Sequence, residues 1–311
     1  MLQKESRIYI AGHTGMVGSA IVRALQEKGY ENLLLRTHQD LELTEQKAAR
    51  EFMEQERPDY VFIAAALVGG IQANRTRPAE FLYQNLMINA NLIEAAHQVG
   101  VKKMLVLGSS CIYPRDAAQP MQEEVWLTGI PEPTNEGYAI GKIGALEMAY
   151  LYRKQYGDNF ISCMPTNIYG PNDDFSLEGS HVIPALMRRF HEAKKNGIEA
   201  VTLWGTGCPR REFLYVDDLA DACLFLMENY EGDRHINVGT GEEISIKDLA
   251  LMLKEITGYE GRLEFDTEKP DGNLRKLLDS SRLHEMGWRH KTSLREGLQK
   301  TYDCFLEKIE R

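Results

Sequence analysis

Arg7-Ile8-Tyr9-Ile10-Ala11 runs straight into Gly12-His13-Thr14-Gly15-Met16-Val17-Gly18. The first five residues form a short apolar strand, and an amphipathic helix continues through Leu25. Glycines at 12, 15 and 18 permit a tight turn, close approach of backbone to a pyrophosphate, and close packing of helix on strand. The first N–H groups of the helix have no partner within it and suit phosphate oxygens. A glycine trio by itself says little. Set between a strand and a helix, it predicts dinucleotide binding through Gly12, His13, Thr14, Gly15, Met16, Val17 and Gly18.

Working outward, Asn32-Leu33-Leu34-Leu35-Arg36 reads as a second strand. A free ribose 2′-OH usually meets Asp or Glu at the end of this strand, and a 2′-phosphate meets Arg. Arg36 therefore predicts NADP(H) rather than NAD. The competing reading makes Arg36 a solvated loop residue and gives the ribose to Asp40. Segment 59–66 is continuously apolar, as in a strand buried on both faces. Pro78–Val99 reads as a long helix, Met104–Leu107 as the next buried strand, and Asn159–Met164 as another.

Strand and helix alternate throughout, which predicts an α/β fold with a Rossmann-like, doubly wound parallel sheet. Beyond Pro171 the pattern loosens, and His235–Val238 reads as a return to the main sheet. We expect a cofactor domain over 1–170 plus about 213–240. A smaller, discontinuous α/β substrate domain would cover about 171–212 and 241–311. Pro165–Pro171 is expected to be a loop, and Val216-Asp217-Asp218 to cap a helix.

Ligands bind at the carboxyl ends of parallel strands. Gly108-Ser109-Ser110-Cys111 lies at such an end. If the chain stays extended there, Ser109 and Cys111 share one side. Tyr138-Ala139-Ile140-Gly141-Lys142 opens a further helix. Residues i and i+4 share a helix face, so Tyr138 and Lys142 can enter one site. A neighbouring ammonium favours the phenolate and lowers its pKa. The phenol can then exchange a proton with a carbonyl or alcohol oxygen.

Composition narrows the partners. The 311 residues carry a formal net charge of -10, which argues against nucleic acid. No apolar run reaches the length of a membrane span. The N-terminus enters a strand directly, so no secretory leader is expected. Five scattered cysteines without a C-x-x-C argue against a disulfide framework or a zinc site, and for a reducing cytoplasm.

Together, the glycine turn, the serine at a strand end and the Tyr-x-x-x-Lys helix resemble the extended short-chain dehydrogenase/reductase family over nearly the whole chain. Gly108–Pro114, Met164–Pro171, His181–Leu186 and Lys269–Gly272 narrow the resemblance. They are similar to its GDP-4-keto-6-deoxy-D-mannose 3,5-epimerase/4-reductases. The resemblance implies that Ser109 holds the substrate oxygen, Tyr138 exchanges its proton, and Lys142 binds the nicotinamide ribose and tunes Tyr138. It further implies cofactor contacts at Leu107, Gly108, Ser109, Ser110, Pro165, Thr166, Asn167, Ile168 and His181. The family's epimerisation pair falls on Cys111 and His181. Its GDP-sugar contacts fall on Arg189, Trp204, Arg211 and Asp271, and it implies a homodimer joined by a four-helix bundle. One departure is Thr14, where an arginine often helps hold the 2′-phosphate. That leaves more of the task to Arg36.

The chemistry runs parallel to the resemblance. A C4 ketone acidifies the hydrogens on C3 and C5, and cysteine and histidine both titrate within reach of pH 7. The plainer readings make Cys111 a small buried apolar residue and His181 a helix-start residue. They make Arg189 and Arg211 solvated cations, and Trp204 a core residue of the smaller domain. A nucleotide-sugar 4-epimerase or 4,6-dehydratase with a tightly held NAD is the rival enzyme class. A non-catalytic NADP-sensing module is the rival outside catalysis.

Overall fold

The computed structural model describes residues 2–176 and 179–309. In chain order, β1 (Ile8–Ala11), α1 (Met16–Glu27), β2 (Leu33–Leu34), α2 (Gln46–Glu56) and β3 (Tyr60–Ile63) come first. Then follow α3 (Ile71–Thr76), α4 (Pro78–Val99), β4 (Lys103–Leu107), α5 (Glu136–Tyr156) and β5 (Phe160–Pro165). The next run is β6 (Asn167–Tyr169), α6 (Val182–Lys195), β7 (Ala200–Trp204), β8 (Arg210–Arg211), β9 (Phe213–Tyr215) and α7 (Val216–Asn229). The chain ends with β10 (His235–Val238), β11 (Ile244–Ser245), α8 (Ile246–Thr257), β12 (Arg262–Asp266), β13 (Arg275–Lys276), α9 (Ser281–Glu285) and α10 (Leu294–Ile309).

Six parallel strands form the main sheet in the order β10-β5-β4-β3-β1-β2. Strand alternation sorts the side chains. Ile8 and Ile10 of β1 pack with the helices α1 and α7 on one face. Tyr9 and Ala11 pack with α2, α4 and α5 on the other. Burial on both faces is why these strands read as unbroken apolar runs. The strand order reverses between β1 and β3, where a crevice opens at the carboxyl ends. A second apolar core gathers α6, β7, β9, α8 and α10 around Phe190, Leu253 and Tyr302. Among the described residues, no helix is long and apolar enough to cross a membrane.

Four local readings need correction. The second strand pairs only over Leu33–Leu34. It is the sheet's edge, and Arg36 turns away to meet Glu56. The stretch after β5 is not all loop, because Asn167–Tyr169 pairs in parallel with Phe213–Tyr215. Thr166 Oγ1 and Asn167 Nδ2 both donate to the Glu212 carbonyl, at 3.3 and 2.8 Å, and draw the two segments together. Helix α7 takes Tyr215 as its N-cap residue and has no side-chain cap. Asp218 instead accepts from the Lys291 and Thr292 N–H groups, at 3.1 and 3.0 Å. Finally, Ser110–Ile112 is a 3-10 turn, so the chain after β4 does not stay extended.

Helices α4 and α5 approach closely because α5 offers glycines there. A Cβ on Gly137 would stand 2.4 Å from the Pro78 carbonyl oxygen, and one on Gly141 would stand 3.0 Å from Asn85 Cβ. Tyr138 lies between these two glycines in α5.

Candidate active site

The site begins at the turn after β1. Gly12 has φ +82°, and a Cβ there would lie 2.6 Å from the Ala65 nitrogen. A Cβ on Gly18 would lie 2.1 Å from the Gly12 carbonyl oxygen. Only glycine lets turn, helix and the β3 exit meet this closely. Helix α1 starts with no side-chain cap and no acidic residue in its first turn. Its N–H groups and positive dipole end are therefore open to an anion. His13 Nδ1 is buried beside the turn without a partner. Asn85 accepts from the Leu67 N–H at 3.1 Å and donates to the Leu67 carbonyl at 3.0 Å, fastening the loop after β3.

Arg36 Nη2 lies 2.7 Å from Glu56 Oε1, and its Nη1 donates to the Leu35 carbonyl at 2.9 Å. Asp40 Oδ2 is taken by Thr37, through the N–H at 3.1 Å and Oγ1 at 2.6 Å. Those bonds lower the Asp40 pKa. Arg36, held by one carboxylate, is the better placed of the two to exchange partners with a phosphate.

Ser109 is extended, and the 3-10 turn after it curls Cys111 back. The Cys111 N–H donates to Ser109 Oγ at 3.4 Å. The turn, and not strand alternation, brings serine and cysteine together. Asn135, the N-cap residue of α5, donates from Nδ2 to Cys111 Sγ at 3.2 Å. Lys276 Nζ approaches the same sulfur at 3.8 Å. Tyr138 packs edge-on to Phe81, with ring centroids 6.5 Å apart.

The electrostatics depart from the simple expectation for the Tyr-x-x-x-Lys pair. Burial pushes the Tyr138 phenol up, charge on Cys111 adds to this, and the Ser109 hydrogen bond opposes it. Lys142 is engaged elsewhere. Its Nζ donates to the Leu107 carbonyl at 2.8 Å, and burial lowers its own pKa to about 8. His181 is the N-cap residue of α6, and its side chain is exposed. Desolvation by the groups around it lowers its imidazole; Asp174 raises it and Lys276 lowers it.

The expected substrate residues separate into two groups. Arg189 Nη1 donates to the Thr202 carbonyl at 3.2 Å. Trp204, two residues on along β7, is 75% exposed, which rules out the core-filling reading. Asp271 is occupied: it accepts from Thr206 N–H at 2.9 Å and Oγ1 at 2.6 Å, clasping the turn after Trp204. Arg211 is half-buried, donates to the Asn273 carbonyl at 2.6 Å, and is the register partner of Lys276. Burial lowers its pKa.

Two neighbours of Cys111 escaped the sequence reading. Asn135 carried a findable signal, an amide three residues ahead of the tyrosine in N-x-x-Y-x-x-x-K. Lys276 carried none, because only the pairing of β13 with β8 brings it to the cleft.

Residues 8–239 match the NAD dependent epimerase/dehydratase family. The chain is 57% identical over 309 residues to GDP-L-fucose synthase 1 of Arabidopsis thaliana, covering 99% of this chain and 96% of that one. Among solved structures it is similar to a GDP-L-fucose synthetase from Naegleria fowleri bound to NADP. That match has a TM-score of 0.92 and 28% identity, over 100% and 97% of the two chains. A GDP-6-OMe-4-keto-L-xylo-heptose reductase from C. jejuni superposes with a TM-score of 0.94 at 38% identity, over 99% of each chain. The chain therefore belongs to the NAD dependent epimerase/dehydratase family, on the branch that holds the GDP-L-fucose synthases.

Proposed function

We propose that this enzyme is a GDP-L-fucose synthase: it epimerises GDP-4-keto-6-deoxy-D-mannose at C3 and C5 and reduces C4 with NADPH. The observation that carries this reading is the convergence of Ser109, Cys111 and Tyr138 on one spot. Cys111 N–H meets Ser109 Oγ at 3.4 Å, and both Ser109 and the Cys111 charge act on the Tyr138 phenol. A sulfur beside the phenol suits a second, proton-moving step in addition to reduction.

The glycine turn suits a dinucleotide, because Gly12 and Gly18 let turn and helix close on each other while the uncapped N–H groups that begin α1 stay open to an anion. Gly12–Gly18 would hold the pyrophosphate and Arg36 the 2′-phosphate. Leu107–Ser110 and Pro165–Ile168 would line the nicotinamide half, with Lys142 on its ribose and His181 nearby. When bound, NADPH supplies the hydride for C4.

The protein's own part is proton management. Cys111 and His181 face the sugar ring from different elements. One removes the proton at C3 or C5, the electron pair moves to the C4 oxygen, and the other returns a proton to the opposite face. Ser109 and Tyr138 donate hydrogen bonds to that oxygen and stabilise the enolate. Tyr138 later gives its proton to the same oxygen during reduction, so its raised pKa keeps the proton in place until charge develops. Arg189 and Arg211 would meet the diphosphate, where a planar fork suits phosphate oxygens. Trp204 would stack on the base or sugar. Asp271 would support Trp204 through the Thr206 clasp.

The division into a cofactor domain and a discontinuous substrate domain follows from the same reading. So does a homodimer through α4 and α5, which leave Tyr83, Ile140 and Leu151 exposed. Five free cysteines fit a reducing cytoplasm. The deciding experiment incubates the protein with GDP-4-keto-6-deoxymannose and NADPH and identifies the product by NMR. GDP-L-fucose is expected. A product reduced at C4 with C3 and C5 unchanged would reduce the claim to a 4-reductase.

A further inference from the structure

Cys111 Sγ has two side-chain N–H donors and no charged acceptor among the contacts described. Asn135 Nδ2 lies 3.2 Å away from α5, and Lys276 Nζ lies 3.8 Å away from β13. Two donors converging on one sulfur suit an anion there, since a charge in a partly closed cleft must be met by donors and a counter-charge. We propose that Asn135 and Lys276 are positioning residues for the proton-exchange step, holding Cys111 Sγ as an anion aimed at the sugar carbon. This rests on the epimerase reading above for the identity of the proton donor, though the state of the sulfur itself does not.

The surroundings support the assignment. The charged or titratable groups acting in this corner are Tyr138 from α5, Lys276 from β13, and His181 at the start of α6, with Asp174 acting on His181. Lys276 is the only cation recorded on the sulfur among the described residues. Its charge also reaches His181, where it disfavours the imidazolium. Asp174 opposes Lys276 at His181 and favours the protonated ring, the form able to return a proton to the sugar. Asn135 has its Nδ2 committed to the sulfur, while its Oδ1 is buried without a partner. Lys276 is held in place by β13 pairing with β8 and by Leu278 N–H donating to buried Glu212 Oε2 at 3.0 Å.

The balance of the step is simple. A C–H bond at C3 or C5 breaks, its proton forms the S–H bond, and its electron pair enters the enolate. As the proton arrives, the sulfur loses its charge and the enolate carries it instead. No oxidant or reductant is needed.

The test reads the sulfur directly. The whole protein is alkylated with iodoacetamide across pH 6 to 10, and the rate at Cys111 is followed by peptide mass spectrometry, which separates it from exposed Cys208. Lys276→Met is expected to move the midpoint for Cys111 up by about one pH unit, a roughly tenfold loss of thiolate well below the midpoint. Lys276→Arg should restore most of it. Asn135→Ala should shift it upward by less, and Asn135→Asp by more. NADPH binding, read by fluorescence, should persist in all four. A purely structural role would weaken NADPH binding or folding and leave the midpoint where it was, and an unchanged midpoint in Lys276→Met overturns the proposal. If the wild type fails to make GDP-L-fucose while the midpoint shifts as stated, the functional reading falls and the assignment of Asn135 and Lys276 to the sulfur stands.

Discussion

Glu56 Oε1 sits 2.7 Å from Arg36 Nη2, so the residue expected to read the 2′-phosphate already has an anionic partner. Glu56 also pairs with Arg7 across the edge of the sheet. A phosphate must compete with this carboxylate or share the guanidinium with it. Arg36→Asp is expected to weaken NADPH binding far more than NADH binding. Glu56→Gln should tighten NADPH about fivefold, because a partly exposed pair is worth about 1 kcal/mol or less. Isothermal titration with both cofactors checks this. Equal effects on NADPH and NADH would mean that Arg36 does not read the 2′-phosphate.

Lys142 gives a pH signature. Burial lowers its folded pKa to about 8, against an unfolded value of 10.5. Between those values the unfolded chain binds more protons than the folded one, so this group makes stability rise with pH. Below about pH 8 both states are protonated and its burial cost is constant. Lys142→Met removes this pH dependence. In urea melts of the cofactor-free protein, wild type should gain on Lys142→Met as pH rises from 8 to 10, and a constant gap would show that Lys142 titrates normally.

The sheet was legible in the sequence because each central strand is buried on both faces and must be continuously apolar. Edges and short pairings were not. Leu35 and Arg36 have strand-like neighbours, but β2 has only one partner and soon leaves the sheet. Asn167–Tyr169 reads as a turn by its residues, and becomes a strand only because Phe213–Tyr215 lies alongside. Ser109, Tyr138 and Lys142 were findable because their spacing is local. Lys276 was not, since 165 residues separate it from Cys111. The resemblance names Asp271 as a ligand contact, and no sequence pattern foretold that its carboxylate also clasps Thr206.

Assembly is the next prediction. Ile88, Leu92, Ile93, Ala145, Leu146 and Ala149 on α4 and α5 are buried within the single chain and cannot argue for a partner. The exposed apolar side chains on these helices are Tyr83, Ile140, Leu151 and Tyr156. Covering them with the same two helices of a second copy is the expected solution. Sedimentation at micromolar concentration should give a dimer, and Ile140→Glu with Leu151→Glu should give monomer. A wild-type monomer would refute the bundle.

The last prediction separates the two chemistries at the shared oxygen site. Cys111→Ser nearly keeps the size but replaces the thiol with a group that does not ionise at working pH. It should almost abolish deuterium uptake from heavy water into C3 and C5. NADPH binding should survive, because the glycine turn and Arg36 are untouched. Slow reduction of the unepimerised ketone should remain, giving GDP-6-deoxy sugars of the D series. Tyr138→Phe should lower reduction by about a hundred- to ten-thousand-fold, the usual range for general acid catalysis. Ring-proton exchange should persist at a reduced rate, since Ser109 still donates to the C4 oxygen. One NMR series on wild type and both variants follows proton washout and NADPH oxidation together. Normal exchange in Cys111→Ser would remove the sulfur from the mechanism. It would also leave the two donors at 3.2 and 3.8 Å without a part in the exchange.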